Sequence, residues 1–234
     1  MNNLTEKNNR VYVSGEIISD AVFSHEVYGE GFYEMNVLVK RLSGQGDVLP
    51  VTISERLIQD KSLKIGVKIN AVGQFRSYNK LVDGKSKLML TIFVRELLED
   101  QLLKNPNSIV LIGYICKAPI YRTTPFNREI SDILIAVNRS YNKSDYIPCI
   151  AWGRNARFAK NLAVGEKIAI SGRIQSREYQ KRISDEEVQI KTAYEVSISK
   201  LSAYDNAENF DVEEEFGLIN ENYERSEENT KIYL

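Results

Sequence analysis

Aromatic and basic side chains alternate along two β-branched-rich segments in the second half of the chain. Tyr146 and Trp152 occupy positions of equal parity in one segment, and Arg173, Arg177 and Tyr179 do so in the other. Successive side chains of a strand point to opposite faces, so each set would share one face of a sheet. Rings stack on unpaired bases and arginines contact phosphates, and every single-stranded nucleic acid offers both. The pattern predicts a surface for single strands that does not read base sequence.

In the same two segments, the residues at the alternate positions are apolar. They comprise Ile147, Cys149 and Ala151 in the first segment and Ile168, Ile170, Gly172 and Ile174 in the second. We therefore expect one side to pack in a core and Gln175 to lie on the exposed side with the arginines. Rings in strands more often seal the edge of a core than bind a ligand. The nearby Arg139 and Lys143 favour the binding interpretation.

The segments belong to the second copy of an internal repeat. Gly15-Glu16-Ile17 aligns with Gly113-Tyr114-Ile115 at an offset of 98 residues, and Gly73 aligns with Gly172 one residue later. A period this long indicates tandem domains, because solenoid repeats run about 20 to 50 residues. We expect domains at 1–98 and 108–202, a linker at 99–107 and a C-terminal tail at 203–234.

Each repeat is rich in β-branched and aromatic residues and predicts five strands, with a short helix after the third. This order fits an all-β chain of two tandem OB-fold barrels of the Greek-key type. The expected strands are 10–18, 32–42, 48–53, 66–78 and 87–98 in the first repeat, with a helix at 55–63, and 108–117, 130–141, 146–152, 166–179 and 187–201 in the second, with a helix at 154–162.

Charge is distributed unevenly although the net charge of the chain is only −1. Residues 105–202 carry 15 basic and 9 acidic side chains, whereas residues 203–234 carry 2 basic and 10 acidic ones. A polyanion would be attracted to the second repeat, and the acidic tail can compete for the same surface. Low apolar content and like charge predict that the tail is disordered.

Two cysteines and one histidine leave too few ligands for a disulfide framework, a zinc site or Cys/His catalysis. No phosphate-binding glycine loop or nucleophile–base pair is recognisable. We expect no enzyme activity, no catalytic residues, no cofactor and no metal. No apolar run approaches the roughly 20 residues that cross a bilayer, and no secretion signal is recognisable, so a cytoplasmic, nucleoid-associated protein is expected.

Residues 109–201 resemble the bacterial single-stranded DNA-binding protein family. The resemblance is carried by Ala136-Val137-Asn138-Arg139, Cys149-Ile150-Ala151-Trp152 and Gly172-Arg173-Ile174-Gln175-Ser176-Arg177, in the family's order and spacing. It implies a protein that binds and protects single-stranded DNA in replication, recombination or repair. By position, the implied base-stacking residues are Tyr141, Tyr146, Trp152 and Tyr179, and the implied basic residues are Arg122, Arg139, Arg173 and Arg177. The interleaving of charge and rings adds Lys143 to the predicted nucleic-acid-binding residues.

The first repeat departs from this pattern. It has Ser43, Val48 and Ser54 opposite Tyr141, Tyr146 and Trp152, although Arg76 and Tyr78 remain on the predicted exposed face and Phe75 on the buried one. We interpret it as a weak binder or a scaffold. Family members with one barrel form homotetramers, so the tandem chain is expected to form a homodimer with four barrels.

Two further interpretations remain open from the residues alone. The barrels could form a protein-interaction module of the primosome type in which nucleic-acid contact is secondary. The ligand could also be single-stranded RNA, since no residue is assignable to a 2′-hydroxyl. Family members end in an acidic tip that recruits replication and repair proteins; this tail is acidic but ends Lys231-Ile232-Tyr233-Leu234. A partner at the tail is an expectation from the resemblance, and a solubilising tail is the alternative.

Overall fold

The computed structural model describes residues 8–41, 43–59, 63–82, 84–99, 105–182 and 188–204. The two repeats have the same order of elements. The first contains β1 (Asn9–Ile17), β2 (Val22–Val27), β3 (Glu30–Lys40), β4 (Gly46–Ser54), α1 (Glu55–Gln59), β5 (Lys68–Val82) and β6 (Lys85–Leu98). The second contains β7 (Asn107–Ile115), β8 (Ile120–Thr123), β9 (Glu129–Arg139), β10 (Lys143–Trp152), α2 (Arg154–Ala159), β11 (Lys167–Arg182) and β12 (Val188–Ala203).

Five strands of each repeat close into a barrel. In the first, β1 pairs with β3 and β5, β3 with β4, β5 with β6, and β4 runs parallel to β6. The second repeat has the same pairings. This ring with a helix after its third member is the predicted OB-fold, present twice.

Each barrel also carries a short strand that the sequence did not predict. β2 pairs with β3, and β8 pairs with β9. All six residues of β2 are exposed, so it lacks the alternation of buried and exposed positions by which strands are recognised. β8 is only four residues long. Both strands extend the sheet outside the closed ring.

The first strands of the two barrels pair with each other and join all twelve strands in one sheet. β1 runs antiparallel to β7 with Val11 opposite Ile109, two residues that are equivalent under the 98-residue repeat. The barrels are therefore related by a local two-fold axis through this pair, as in an isologous dimer. One cluster of buried apolar side chains includes members of both barrels.

Two reciprocal hydrogen-bond pairs reinforce this junction. The Ser176 amide donates to Asp47 Oδ1 at 2.9 Å, and the Ser77 amide donates to Asp145 Oδ1 at 2.7 Å. Both carboxylates are fully buried, and each accepts a hydrogen bond from a strand of the other repeat. Arg41 binds Asp47 at 2.6 Å, but Arg139 is 3.5 Å from Asp145. Burial raises the pKa of Asp145, against the weaker opposing effect of its partners.

The fourth strand of the second barrel follows the predicted alternation. Ile168, Ile170 and Ile174 are completely buried, as is Phe75 in the first barrel. A bulge at Gly172 bends β11, and a Cβ there would lie 2.2 Å from the Ser197 carbonyl oxygen. Only glycine fits this close approach of two backbones.

The structure describes the start of the predicted tail and none of the rest. Ala203 ends β12, and Tyr204 packs against a small cluster formed by Tyr12, Val110 and Ala169. Residues 205–234 lie outside the described residues, as do most of the predicted linker positions. Within the described part of the chain, no helix has the length and apolar character needed to cross a membrane.

Candidate nucleic-acid interface

Trp152 lies on the outer side of the second barrel, in a row with a predicted basic residue. Arg122 on β8 and Trp152 on β10 are both directly opposite Ile130 of β9, so all three share one side of the sheet. Trp152 Nε1 donates to Ser197 Oγ at 3.3 Å, and 37% of the residue is exposed. The ring is held by one polar contact yet remains accessible.

The other predicted residues of this side lie on β10 and on β11, which is separated from β10 by β12. Tyr146 precedes Trp152 by six residues, about 20 Å in an extended strand, and is 47% exposed. Arg173 is opposite Ser197, and Tyr179 is opposite Lys191. We call this side the outer face. It brings together Arg122, Tyr146, Trp152, Arg173, Arg177 and Tyr179.

The expectation that Gln175 is exposed on the outer face is wrong. Its parity is that of the arginines, but it is only 7% exposed. Its Nε2 donates to Glu195 Oε1 at 2.8 Å, and Glu195 is the residue opposite it on β12. Both polar side chains can be buried because their hydrogen bond satisfies one group of each. A carboxylate therefore lies in the middle of the predicted basic surface.

Ion pairs reduce the positive charge of the outer face. Arg122 Nε lies 2.9 Å from Asp132 Oδ2, and Arg177 Nε lies 3.5 Å from Glu195 Oε1. The hydrogen bond to Asp132 raises the pKa of Arg122. The Arg122–Asp132 pair is exposed and is worth about 0 to 1 kcal/mol, so an incoming phosphate can compete for Arg122. The electrostatic attraction is weaker than the arginine count suggests.

Arg139, Lys143 and Tyr141 are not part of the outer face. Arg139 pairs with Lys143 and has the parity of the buried Val137, so both side chains leave the hairpin on the side opposite to Tyr146. Arg139 faces the junction through its ion pair with Asp145. Tyr141 is at the hairpin tip, 92% exposed with a φ of 63°. Its ring is accessible there but lies apart from Trp152.

Both predicted site residues of the first repeat are engaged within the chain. Tyr78 Oη donates to Glu34 Oε1 at 3.1 Å, and burial together with Glu34 raises the pKa of Tyr78 to about 12. The Arg76 guanidinium stacks 3.9 Å from the centroid of the Phe93 ring. Burial and the neighbouring Arg95 lower the pKa of Arg76 to about 10.

The first repeat has aromatic residues on its outer side that sequence alignment missed. Opposite Ser54, the counterpart of Trp152, is Phe32, and Phe93 is opposite Thr52. The two phenylalanines are 5.5 Å apart, and His25 stacks on Phe32 at 5.0 Å. The rings come from other strands than in the second repeat, so position-by-position comparison could not find them.

Phe126 is a further exposed ring that the sequence interpretation did not include. It is 87% exposed in the turn between β8 and β9, between Arg122 and Arg128. The Thr-Pro-Phe-Asn turn was the available signal, because an apolar ring in such a turn has no core to pack against. Among the described residues, no three His, Cys, Asp or Glu side chains lie together as a metal site would require.

The geometry defines a pair of OB-fold barrels, of which the second presents rings and arginines on its outer face. The whole architecture is similar to the crystal structure of wild-type single-stranded DNA binding protein from Thermus aquaticus. The TM-score is 0.64 at 19% identity, over 83% of this chain and 92% of that chain. This likeness establishes the tandem fold.

Residues 106–204 match the model of the single-strand binding protein family. The match lies within the second repeat, 99 of the 234 residues of the chain. It is 36% identical over 81 residues to single-stranded DNA-binding protein 1 of Staphylococcus aureus, covering 32% of this chain and 48% of the relative. It is 37% identical over 81 residues to the single-stranded DNA-binding protein of Clostridium tetani, covering 32% and 56%. The chain thus spans about half the length of these curated relatives.

Proposed function

We propose that the protein binds and protects single-stranded DNA, without base specificity, in replication, recombination or repair. The observation that carries this proposal is the outer face, where Trp152 and Tyr146 remain accessible beside Arg122, Arg173 and Arg177. Stacking contributes about 1 to 3 kcal/mol per base and is lost in a duplex, whose base faces are already stacked. The names of the curated relatives agree with this ligand.

The test uses the fluorescence of Trp152, the one tryptophan of the chain. We expect oligo(dT) to quench it strongly and a duplex of equal length to have little effect. Quenching by oligo(rU) with equal affinity would favour the RNA alternative. Equal quenching by duplex would contradict a stacking mechanism. We propose that binding alone, with no catalytic step, accounts for the activity. Because the protein binds only the unpaired strand, saturating binding melts marginal hairpins by mass action.

The first repeat acts as a weak binder or scaffold in this proposal. Glu34 holds Tyr78, and Phe93 holds Arg76, so neither is ready to meet a nucleotide. One observation favours the protein-interaction alternative for this repeat: Val22, Phe23 and Val27 of β2 are exposed apolar side chains. A primosome-type role would predict that substitutions in β2 abolish protein partnering while oligo(dT) binding stays unchanged.

We propose that the chain forms a homodimer with four barrels, by the family resemblance. Sedimentation equilibrium should give twice the 26.8 kDa chain mass, and a monomer at micromolar concentration would contradict it. We further propose a cytoplasmic location on the nucleoid and an interaction of the acidic tail with replication or repair proteins. Loss of those partners after truncation at residue 204 is the test.

A further inference from the structure

An open pocket of about 300 Å³ lies between the two barrels. The tip of the β3–β4 hairpin forms one wall with Lys40, Arg41 and Ser43. The other wall comes from the end of the predicted linker, with Asn105 and Asn107, and from Arg173 of the second repeat. No site residue predicted in the first repeat belongs to it. Its lining is basic and hydrogen-bonding, which is the chemistry of a site for an anionic oxygen group.

The three cations of the pocket are not equally available. The Arg41 guanidinium is used by Asp47, at 2.6 and 2.7 Å, and by Gln45 Oε1 at 3.0 Å. Within the described ranges, Lys40 and Arg173 have no acidic group within 4 Å. They therefore carry the positive charge that a ligand could neutralise.

Arg173 has an unused donor. Its Nε–H is shielded from solvent and has no acceptor in the described part of the chain, while a terminal nitrogen makes a 3.3 Å bond to Gln175 Oε1. Burial and the nearby Arg41 lower the pKa of Arg173, against a weaker opposing effect of Asp47. A buried donor without an acceptor is costly, so the chain leaves part of the hydrogen-bonding capacity of Arg173 unsatisfied.

The pocket adjoins the outer face. Arg173 is directly opposite Ser197, the residue that accepts the hydrogen bond of Trp152 Nε1. A strand stacked on Trp152 thus has its next phosphates near Arg173 and, beyond it, near Lys40 of the other barrel. We propose that this pocket binds a backbone phosphate of the single strand as it passes from the second barrel to the first. The proposal rests on the proposed function and adds a site that both repeats build.

The test replaces Lys40 by glutamine, because this residue is exposed, belongs to the first repeat and lies outside the outer face. Lys64→Gln is the matched control: it removes the same charge from an exposed position that does not line the pocket. Affinities for oligo(dT) of increasing length are measured by anisotropy at several salt concentrations with the full chain. The wild-type titration comes first, and absence of binding there would refute the proposed function itself.

We expect Lys40→Gln to bind short oligo(dT) like the wild type and to bind long oligo(dT) more weakly. Its logarithmic salt slope should be shallower by about 0.7, the value for one lost phosphate contact on a single strand. Lys64→Gln should match the wild type at every length. Equal slopes for the two variants at all lengths would overturn the proposal.

A second experiment distinguishes binding of a strand phosphate from binding of free inorganic phosphate. Inorganic phosphate is titrated into wild type and Lys40→Gln, and the amide resonance of Ser43 is followed by NMR. A shift in the wild type that long oligo(dT) reverses by competition supports the strand as the source. A phosphate shift lost in Lys40→Gln, with oligo(dT) binding unchanged at all lengths, would mean a free-anion site and would overturn the proposal.

Discussion

Replacement of Trp152 by alanine tests the stacking mechanism directly. The ring is 37% exposed and has one hydrogen bond, to Ser197, so its removal leaves the strand pairing of β10 intact. A lost base-stacking contact costs about 1 to 3 kcal/mol. The affinity for oligo(dT) should therefore fall about 5- to 150-fold, since 1.4 kcal/mol corresponds to about a factor of ten.

Two matched variants separate the ring from its hydrogen bond. Trp152→Phe keeps an aromatic face and loses the indole N–H, so it should retain most of the affinity. Ser197→Ala removes the acceptor and leaves the ring, and we expect it to bind almost like the wild type. If Ser197→Ala weakens binding as much as Trp152→Ala, Trp152 acts by positioning neighbours and the stacking argument is refuted.

The assay is anisotropy of a labelled oligo(dT) at several salt concentrations, with urea unfolding to verify that each variant is folded. The outer face offers Arg122, Arg173 and Arg177, two of them already paired with carboxylates. At about −0.7 per neutralised phosphate, the outer face by itself should give a salt slope of about −2 or shallower on short oligo(dT). Trp152→Ala should shift the affinity and leave this slope unchanged. If Trp152→Ala changes the salt slope, Trp152 also determines which phosphates the arginines contact.

Three other outcomes follow from the structure. Truncation before Asp205, which preserves the packing of Tyr204, should raise oligo(dT) affinity at low salt, and an unchanged titration would remove a shielding role for the tail. Alanine at both Arg76 and Tyr78 should change that affinity less than about threefold, as for surface positions; a loss equal to that of Trp152→Ala would make the first repeat a full second site. The raised pKa of Asp145 means that its contribution to folding is greatest below its ordinary pKa of 3.8 and is lost as the pH rises through the folded value. Asp145→Asn should therefore gain in unfolding free energy relative to the wild type between pH 4 and pH 7, measured by urea unfolding, and a constant difference would contradict the burial argument.

Alternation and spacing predicted most of the second barrel. Ile168, Ile170 and Ile174 were assigned to the core, and Tyr146 and Trp152 to the open side, as the structure has them. The prediction worked because a closed barrel has only two sides, and the apolar residues identify one of them. β2 and β8 were missed because strands outside the ring bury too little to impose a pattern on their residues.

The charge of the site could not be predicted from the list of arginines. Glu195 is opposite Gln175 and beside Arg177, and Asp132 is beside Arg122, in each case on the neighbouring strand of the sheet. Which carboxylate meets which arginine depends on strand register, and register is fixed by the whole barrel. The same holds for Arg139, which faces the junction through its ion pair with Asp145.

The amino-acid sequence alone determined that the chain is a duplicated all-β protein with rings and cations concentrated in its second copy, because repeat spacing and period-two alternation are local properties of the chain. Only the tertiary structure decided that β1 pairs with β7, that Asp47 and Asp145 each accept a hydrogen bond from a strand of the other repeat, and that Lys40 and Arg173 line one pocket. These contacts join residues 68 or more positions apart. They form because two unpaired strand edges satisfy their backbone groups against each other, a requirement that no single repeat reveals.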